Sequence, residues 1–268
     1  MVTVTGWERY GWLRHGFSTR AGGVSTVYGE GELNLGWTKD DDPAAVAENR
    51  RLLVQAAGVR SDFSLVTIRQ VHGAAVQPVR EGDGAAEGRL QTAEGKAVLE
   101  GDGLMTGVPG VMLGIQTADC VPVLVVDVKR RVVAAFHAGW RGTVARIVEQ
   151  GIAAMRAEFG SQGDDLVAAV GPSIGPCCYT VGYEVLGEFG AAFGYGRELF
   201  REQGTEVRLD LWEANRRQLV EAGVRVDQIA VIGECTACAV DGSRRRKYFS
   251  HRAEKGFTGR MLSVVGVV

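Results

Sequence analysis

Two rhythms of apolar positions run through this chain, and the changes between them predict its elements. The stretch 40–58, "DDDPAAVAENRRLLVQAAG", reads as a helix, with Asp42 as cap, Pro43 in the first turn and Gly58 as the stop. Strands are expected in "FSLVTIRQV" (63–71) and "AAVQPV" (74–79), before a polar, glycine-rich stretch at 81–103 that reads as a long loop broken by short strand-like pieces. From Val108 the pattern turns strongly β, through "VPGVMLGIQTADC", "VPVLVVDV" and "RVVAAFHAG". Val144, Ile147, Val148, Ile152, Met155 and Phe159 then fall at helical spacing on one face. Beyond them come a buried strand in "DLVAAVG", helices in "GYEVLGEFGAAF" and "LDLWEANRRQLVEAG", and a last clear strand in "QIAVIGECT". Strands alternating with helices over the whole length predict one layered α/β (α+β) domain spanning 1–268. The hairpin-like stretches argue for a mixed sheet.

Composition narrows the class without naming a chemistry. Of 268 residues 46% are hydrophobic and 23% charged, ordinary for a globular protein. A net charge of −2 gives no overall basic field for a nucleic-acid backbone. The basic run "SRRRK" (243–247) reads as a solvated turn or as a cationic rim for a small anion. No stretch is long and apolar enough for a membrane span, and the opening residues lack a signal-peptide core. A cytoplasmic protein with reduced cysteines, and with neither nucleic acid nor membrane as partner, is the expectation.

The candidate chemistry gathers around His137, which closes an apolar strand in "AAFHAGWRG". Packing, acid–base catalysis and metal ligation are all open to it on this evidence. A two-residue turn at Val128-Lys129 would pair Asp127 with Arg130 and set Cys120 directly opposite His137. A thiol and an imidazole on one face suit a nucleophilic cysteine or a metal site completed by a third ligand. His72 in "RQVHG" is that third candidate, and Asp119 adds a carboxylate beside Cys120. "GWRG" should open a helix near Thr143, placing Arg141 beside free amides as an anion site or as the partner of a carboxylate. Trp140 could stack on a base or serve as core. "VGPSIGPCCYTVG" reads as a pocket wall or a tight connection. Its adjacent Cys177 and Cys178 cannot readily share one tetrahedral metal. "CTAC" (235–238) has metal-site spacing but no second such pair.

Together the segments "STRAGGVS", "LNLGWTKDD", "ENRRLL", "RQVHG", "GDGLMT", "TADCVPVLVVD", "AAFHAGWRG", "GPSIGPCCYTVG" and "YFSHRAEKGFTGRM" resemble one family in its order, over about residues 15–262. This is the bacterial YfiH-like family, also called the laccase-domain or multicopper polyphenol oxidase family. The resemblance implies a single mixed-sheet sandwich, distantly similar to cysteine-hydrolase toxins of the cytotoxic necrotizing factor type. It implies a zinc site at His72, Cys120 and His137, which would also be the catalytic residues. Substrate contacts are expected from Asn34, Arg69, Gln70, Asp119 and Arg141. The implied activity is phosphorolysis of adenosine, inosine, guanosine and methylthioadenosine, with adenosine deamination beside it. The alternatives are editing of a peptidoglycan precursor with the same triad, and a copper-binding, polyphenol oxidase-like role. A true laccase needs a histidine-rich copper cluster. This chain has four histidines, leaving only His15 and His251 beyond the triad. Zinc is therefore favoured, with adventitious copper still open. One departure is Arg252-Ala253-Glu254, where relatives usually carry Arg-Arg-Asp.

Overall fold

The computed structural model describes residues 1–58, 63–85 and 87–268. Its strands are β1 (Leu13–Phe17), β2 (Ala21–Ser25), β3 (Ser64–Thr67), β4 (Val76–Val79), β5 (Gly103–Thr106), β6 (Val111–Thr117), β7 (Val121–Asp127), β8 (Val132–Ala138), β9 (Leu166–Val170), β10 (Thr180–Val181), β11 (Phe200–Gln203), β12 (Glu206–Leu209), β13 (Ile229–Val231) and β14 (Met261–Val267). Its α-helices are α1 (Pro43–Ala56), α2 (Trp140–Val144), α3 (Ile147–Phe159), α4 (Tyr183–Ala192) and α5 (Leu211–Glu221). Two mixed sheets carry the architecture, in the orders β13-β9-β7-β8-β5-β4 and β1-β14-β6-β3. A small third sheet, β10-β12-β11, lies beside them in the chain between "GPCC" and α5.

The period-two rhythm explains how the layers stack. In β7, Val123 and Val125 face α3, α4 and α5, while Leu124 and Val126 face the other sheet. In β6, Leu113 and Ile115 meet Leu124 and Val133 between the sheets, whereas Met112 turns outward to pack with Leu53 of α1. The order is thus helix, sheet, sheet, helices. Strands buried on both faces read as unbroken apolar runs, which is why β7 and β8 were visible as blocks. The expected sandwich and its mixed pairing are what the fold shows.

Three expectations need correction. The β7–β8 hairpin pairs Asp127 with Val132, so its loop is the four residues 128–131 rather than two. Buried Asp127 fixes that loop by accepting the amides of Lys129 at 3.0 Å and Arg130 at 2.8 Å. The predicted helix from Thr143 begins instead at Trp140 and breaks at Arg146, whose φ of 59° separates α2 from α3. "QIAVIGECT" is not the last strand: β14 follows it and lies in the middle of the four-stranded sheet. The stretch 81–103 is a loop with short bridges, Gln91 to Ala97 and Arg69 to Glu100, and β5 begins at its last residue, Gly103; residue 86 lies outside the described residues. The Asp42 cap and the Pro43 start of α1 are as expected, with Asp42 accepting the Ala44 amide.

Helix α3 meets β8 most tightly at Gly151. A Cβ there would stand 2.3 Å from Phe136 Cζ, and Phe136 is fully buried next to His137. Gly151→Val should therefore destabilise the fold by about 1–3 kcal/mol, the usual cost of overpacking. Adding Phe136→Leu should recover part of the loss. Chemical denaturation of the single and double variants checks this, and an unchanged midpoint for Gly151→Val would show the contact to be slack.

Candidate active site and metal centre

The site lies where β8 and the bend before β7 meet the loop after β3. The register correction changes the geometry of Cys120 and His137 but keeps its consequence. His137 pairs with Pro122, so Cys120 sits diagonally, two places along. An even displacement preserves the face, and both side chains still point the same way. Donor atoms of His72, Cys120 and His137 all lie within 4.8 Å of one another. The two imidazoles stand edge to face, 4.8 Å between centroids. Gly139 makes room for them: a Cβ there would be 3.0 Å from Cys120 Sγ and 3.3 Å from His72 Cδ2.

Asp102 assembles this group, and the sequence reading did not single it out. Its carboxylate is fully buried and takes the backbone amides of Val71 (3.2 Å), His72 (2.9 Å) and Gly73 (2.6 Å). The same carboxylate accepts from His137 Nδ1 at 2.8 Å. Three converging amides form an anion nest, made possible by a left-handed His72 with φ of 61°. The bond to Nδ1 leaves Nε2 of His137 turned to Cys120, the tautomer a metal-ligating histidine needs. Burial opposes charge on both partners, yet the Cys120 thiol is held well below its usual range by His137 and His72. Burial likewise works against the charge on His137, but Cys120 and Asp102 raise it. Asp102 is lowered despite burial, by His137 and the loop amides.

A cavity of about 640 Å³ opens above the triad and is lined by all three of its side chains, with Arg69, Gln70, Asp119, Tyr179, His251, Arg252 and Arg260 among the others. Arg69 is exposed and pairs with Glu100. Gln70 holds the Gln116 backbone through two bonds of 2.8 Å. Asp119 borders the cavity, but its carboxylate accepts from Thr236, Ser250 and the Arg252 amide, all at 2.7 Å. Asn34 is fully buried away from the lining; its amide bonds Gly36 and Asp41 and accepts the Arg260 amide at 2.9 Å. The structure thus gives Asn34 a positioning place behind Arg260. Arg141 is exposed, stacks on Trp140 with 4.4 Å to the ring centroid, and lies outside the cavity lining. Its charge still reaches Tyr179, whose phenol burial pushes up to about 12. Trp140 packs half-buried on the helix-side core.

Of the two histidines outside the triad, His15 is not a ligand candidate: Nε2 accepts the Val4 amide at 2.9 Å, and burial lowers it to about 4. Among the described residues no third histidine joins the triad's ligand group. The departure at Glu254 is absorbed structurally, through Arg20 Nη1 at 2.9 Å and Thr258 Oγ1 at 2.6 Å.

Residues 14–268 match the family described as multi-copper polyphenol oxidoreductase laccase. The chain belongs to this family. It is 40% identical to a purine nucleoside phosphorylase of Deinococcus radiodurans, over 94% of this chain and 88% of that one. It is 36% identical to adenosine deaminase RL5 of an unknown prokaryotic organism, over 91% and 92%. The solved structure of a Bacillus licheniformis hypothetical protein, YfiH, superposes with a TM-score of 0.85 at 33% identity, covering 98% of this chain and 94% of that one. The family's relatives are thus named as enzymes on small molecules. No helix among the described residues is long and apolar enough to cross a membrane.

The Asp102 nest carries a pH signature. Its carboxylate is depressed in the fold, so its stabilisation is present above the unfolded value near pH 3.9 and fades as pH falls below it. Asp102→Asn replaces one carboxylate oxygen by an NH₂ that faces two of the four donors, Val71 and Gly73 or His72 and His137, and should cost about 3 kcal/mol at pH 7. The gap to wild type should narrow toward pH 3. Metal-free melting curves at both pH values test this; a gap independent of pH would show that the charge contributes nothing.

Proposed function

We propose that the chain is a purine nucleoside phosphorylase that also deaminates adenosine, with both reactions in the cavity above His72, Cys120 and His137. The observation that carries this reading is the three-donor cluster at the floor of an open cavity. Two imidazoles and a thiolate within 4.8 Å match the donor set and span of a tetrahedral zinc site, with one position left toward the cavity. The Asp102–His137 bond supplies the outer support such a ligand needs. The relatives named purine nucleoside phosphorylase and adenosine deaminase support the same substrate class.

Zinc held there would act as a Lewis acid and lower the pKa of bound water. The chain's own residues supply binding and orientation. Tyr179 and Trp37 offer apolar faces to a purine ring in the cavity, beside the polar edge of Gln70 and Gln116. Arg252 and Arg260 place guanidinium groups at the wall, and Arg141 stands just outside it as the candidate for inorganic phosphate. Adenosine, inosine, guanosine and methylthioadenosine share the purine and the ribosyl bond that phosphate would cleave, yielding free base and sugar 1-phosphate. Deamination consumes water instead and releases ammonia. Zinc is preferred to copper because, among the described residues, no further histidine joins the donor group.

A second reading has one observation in its favour. Asp102, His137 and Cys120 also form the relay of a cysteine hydrolase, as editing of a cell-wall precursor would need. His72 at the same thiol speaks for metal instead.

Purified chain should release adenine from adenosine only with phosphate, and inosine without it. Cys120→Ala and His137→Gln should lose the zinc of this site, abolish inosine formation and slow adenine release at least about a hundredfold. A folded, zinc-free variant with wild-type rates for both products would overturn the reading. Arg141→Ala should raise the phosphate KM far more than the nucleoside KM, with lysine rescuing only in part. Equal effects on both substrates would assign Arg141 a structural place.

A further inference from the structure

Four cysteines outside the catalytic cavity converge on one point. β9 and β13 are parallel neighbours, so the loops that follow them leave the sheet side by side, tied where Ser173 bridges Cys235. The first loop carries Cys177 and Cys178, and the second carries Cys235 and Cys238. Their four Sγ atoms lie within 4.8 Å of one another, and those of Cys177 and Cys238 are 3.7 Å apart. Sulfurs bound tetrahedrally at about 2.3 Å from zinc stand about 3.8 Å apart, so small side-chain turns close the set. The expectations from sequence miss this on two counts. The partner pair for "CTAC" is not a second CxxC but the adjacent cysteines of a different loop, and Cys177 and Cys178 both reach the common centre.

The surroundings suit a cluster of thiolates. The Gly175 amide donates to Cys235 Sγ at 3.2 Å. Arg208 Nη1 donates to the Cys177 carbonyl at 3.1 Å, and Arg246 Nη1 to the Ala237 carbonyl at 2.9 Å. Arg246 is thereby fixed on the second cysteine turn, where it helps offset the double negative charge of four thiolates around a divalent cation, while Arg208 steadies the first turn and is itself paired with Glu206. This also accounts for part of the basic run 243–247. Arg246 serves the cysteine turn, while Arg245 and Lys247 pair with Glu32 and Glu234. Cys177 and Cys238 are exposed, so an ion can enter from solvent.

We propose that Cys177, Cys178, Cys235 and Cys238 form a second metal site, a closed four-thiolate centre for a thiophilic divalent cation of the zinc class. Loading it forms four metal–sulfur bonds and releases four thiol protons to solvent; no electron changes hands. Its place in the fold makes it a clip. The first loop runs on to Tyr179 at the cavity wall, and the second carries Thr236, which holds Asp119 next to Cys120. The ion would lock these two loops, and with them one side of the cavity, without touching substrate.

The test is metal content and spectroscopy on the full chain, reduced, loaded with zinc or cobalt and dialysed. Wild type should keep about two ions per chain, and Cys120→Ala and Cys177→Ser/Cys238→Ser about one each. Cobalt-loaded Cys120→Ala should show the intense sulfur-to-metal absorption of a four-thiolate site, and Cys177→Ser/Cys238→Ser should lose it. Should the double variant misfold, the cobalt spectrum of Cys120→Ala still decides. Cys120→Ala protein that retains no ion, or whose four thiols form disulfides in preference to taking cobalt, overturns the proposal. Failure of the catalytic site alone would appear as wild type and Cys120→Ala each holding the same single ion.

Discussion

A buried carboxylate with four donors holds the candidate site together. Asp102 immediately precedes β5, and its backbone carbonyl accepts the His137 amide at 2.7 Å while its side chain takes His137 Nδ1. The main chain thus fixes where His137 stands along the sheet, and the side chain fixes how its ring turns. By gathering the amides of residues 71–73, the same group draws in a loop from the strand of the other sheet. An ionised carboxylate without those donors would be very costly at this depth, and a left-handed His72 without an anion to point its amides at would be strained for nothing. Each offsets the cost of the other.

How much of this was legible in the sequence depended on whether a signal was local. The blocks that became β6, β7 and β8 were plain because strands buried on both faces have no polar positions to interrupt them. The pairing of Cys120 with His137 was read from an assumed two-residue turn and came out two places off, since Asp127 folds its loop with side-chain bonds that no periodicity reveals. The site survived that error because side chains on a strand repeat every second residue. β14 was missed although "MLSVVGV" is apolar and as long as β6, β7 and β8, because it follows a segment that read as site rather than as structure. Asp102 left no local mark either: an aspartate between two glycines resembles any loop, and its meaning lies in amides thirty residues away.

The residues around the triad separate into two kinds. Gln70, Asp119 and Asn34 spend their polar atoms on backbone and on neighbouring side chains, and so shape the cavity. Arg69, Arg252 and Arg260 line it with charged side chains, each held by a partner: Glu100 for Arg69, the Thr180 carbonyl for Arg252, and the Thr258 and Gly259 carbonyls for Arg260. The expected substrate contacts included Asn34, Arg69, Gln70 and Asp119 without distinguishing the two kinds, and left out Arg252 and Arg260, because a segment match reports that a residue matters and not which way its atoms face. The cysteine pairs of the two loops show the converse. Neither pair has metal-site spacing with a partner in sequence, and proximity arises only because β9 and β13 run parallel.

The position of β14 also sets an order on biosynthesis. Every strand of the six-stranded sheet lies between residues 76 and 231, so that sheet can form as a unit once β13 has left the ribosome. The four-stranded sheet cannot, because β14 separates β1 from β6 and is translated after both. Until residues 261–267 emerge, β1 and β6 each present an unpaired edge of backbone amides and carbonyls, and Leu113 and Ile115 lack the cover of Val265 and Val267. Open edges over an apolar face are the feature that invites association between nascent chains. Through the interval between β13 and β14 the four-stranded sheet therefore stays open, and the candidate cavity, which borrows Gln116 and Thr117 from the unfinished sheet, is completed only when that interval ends.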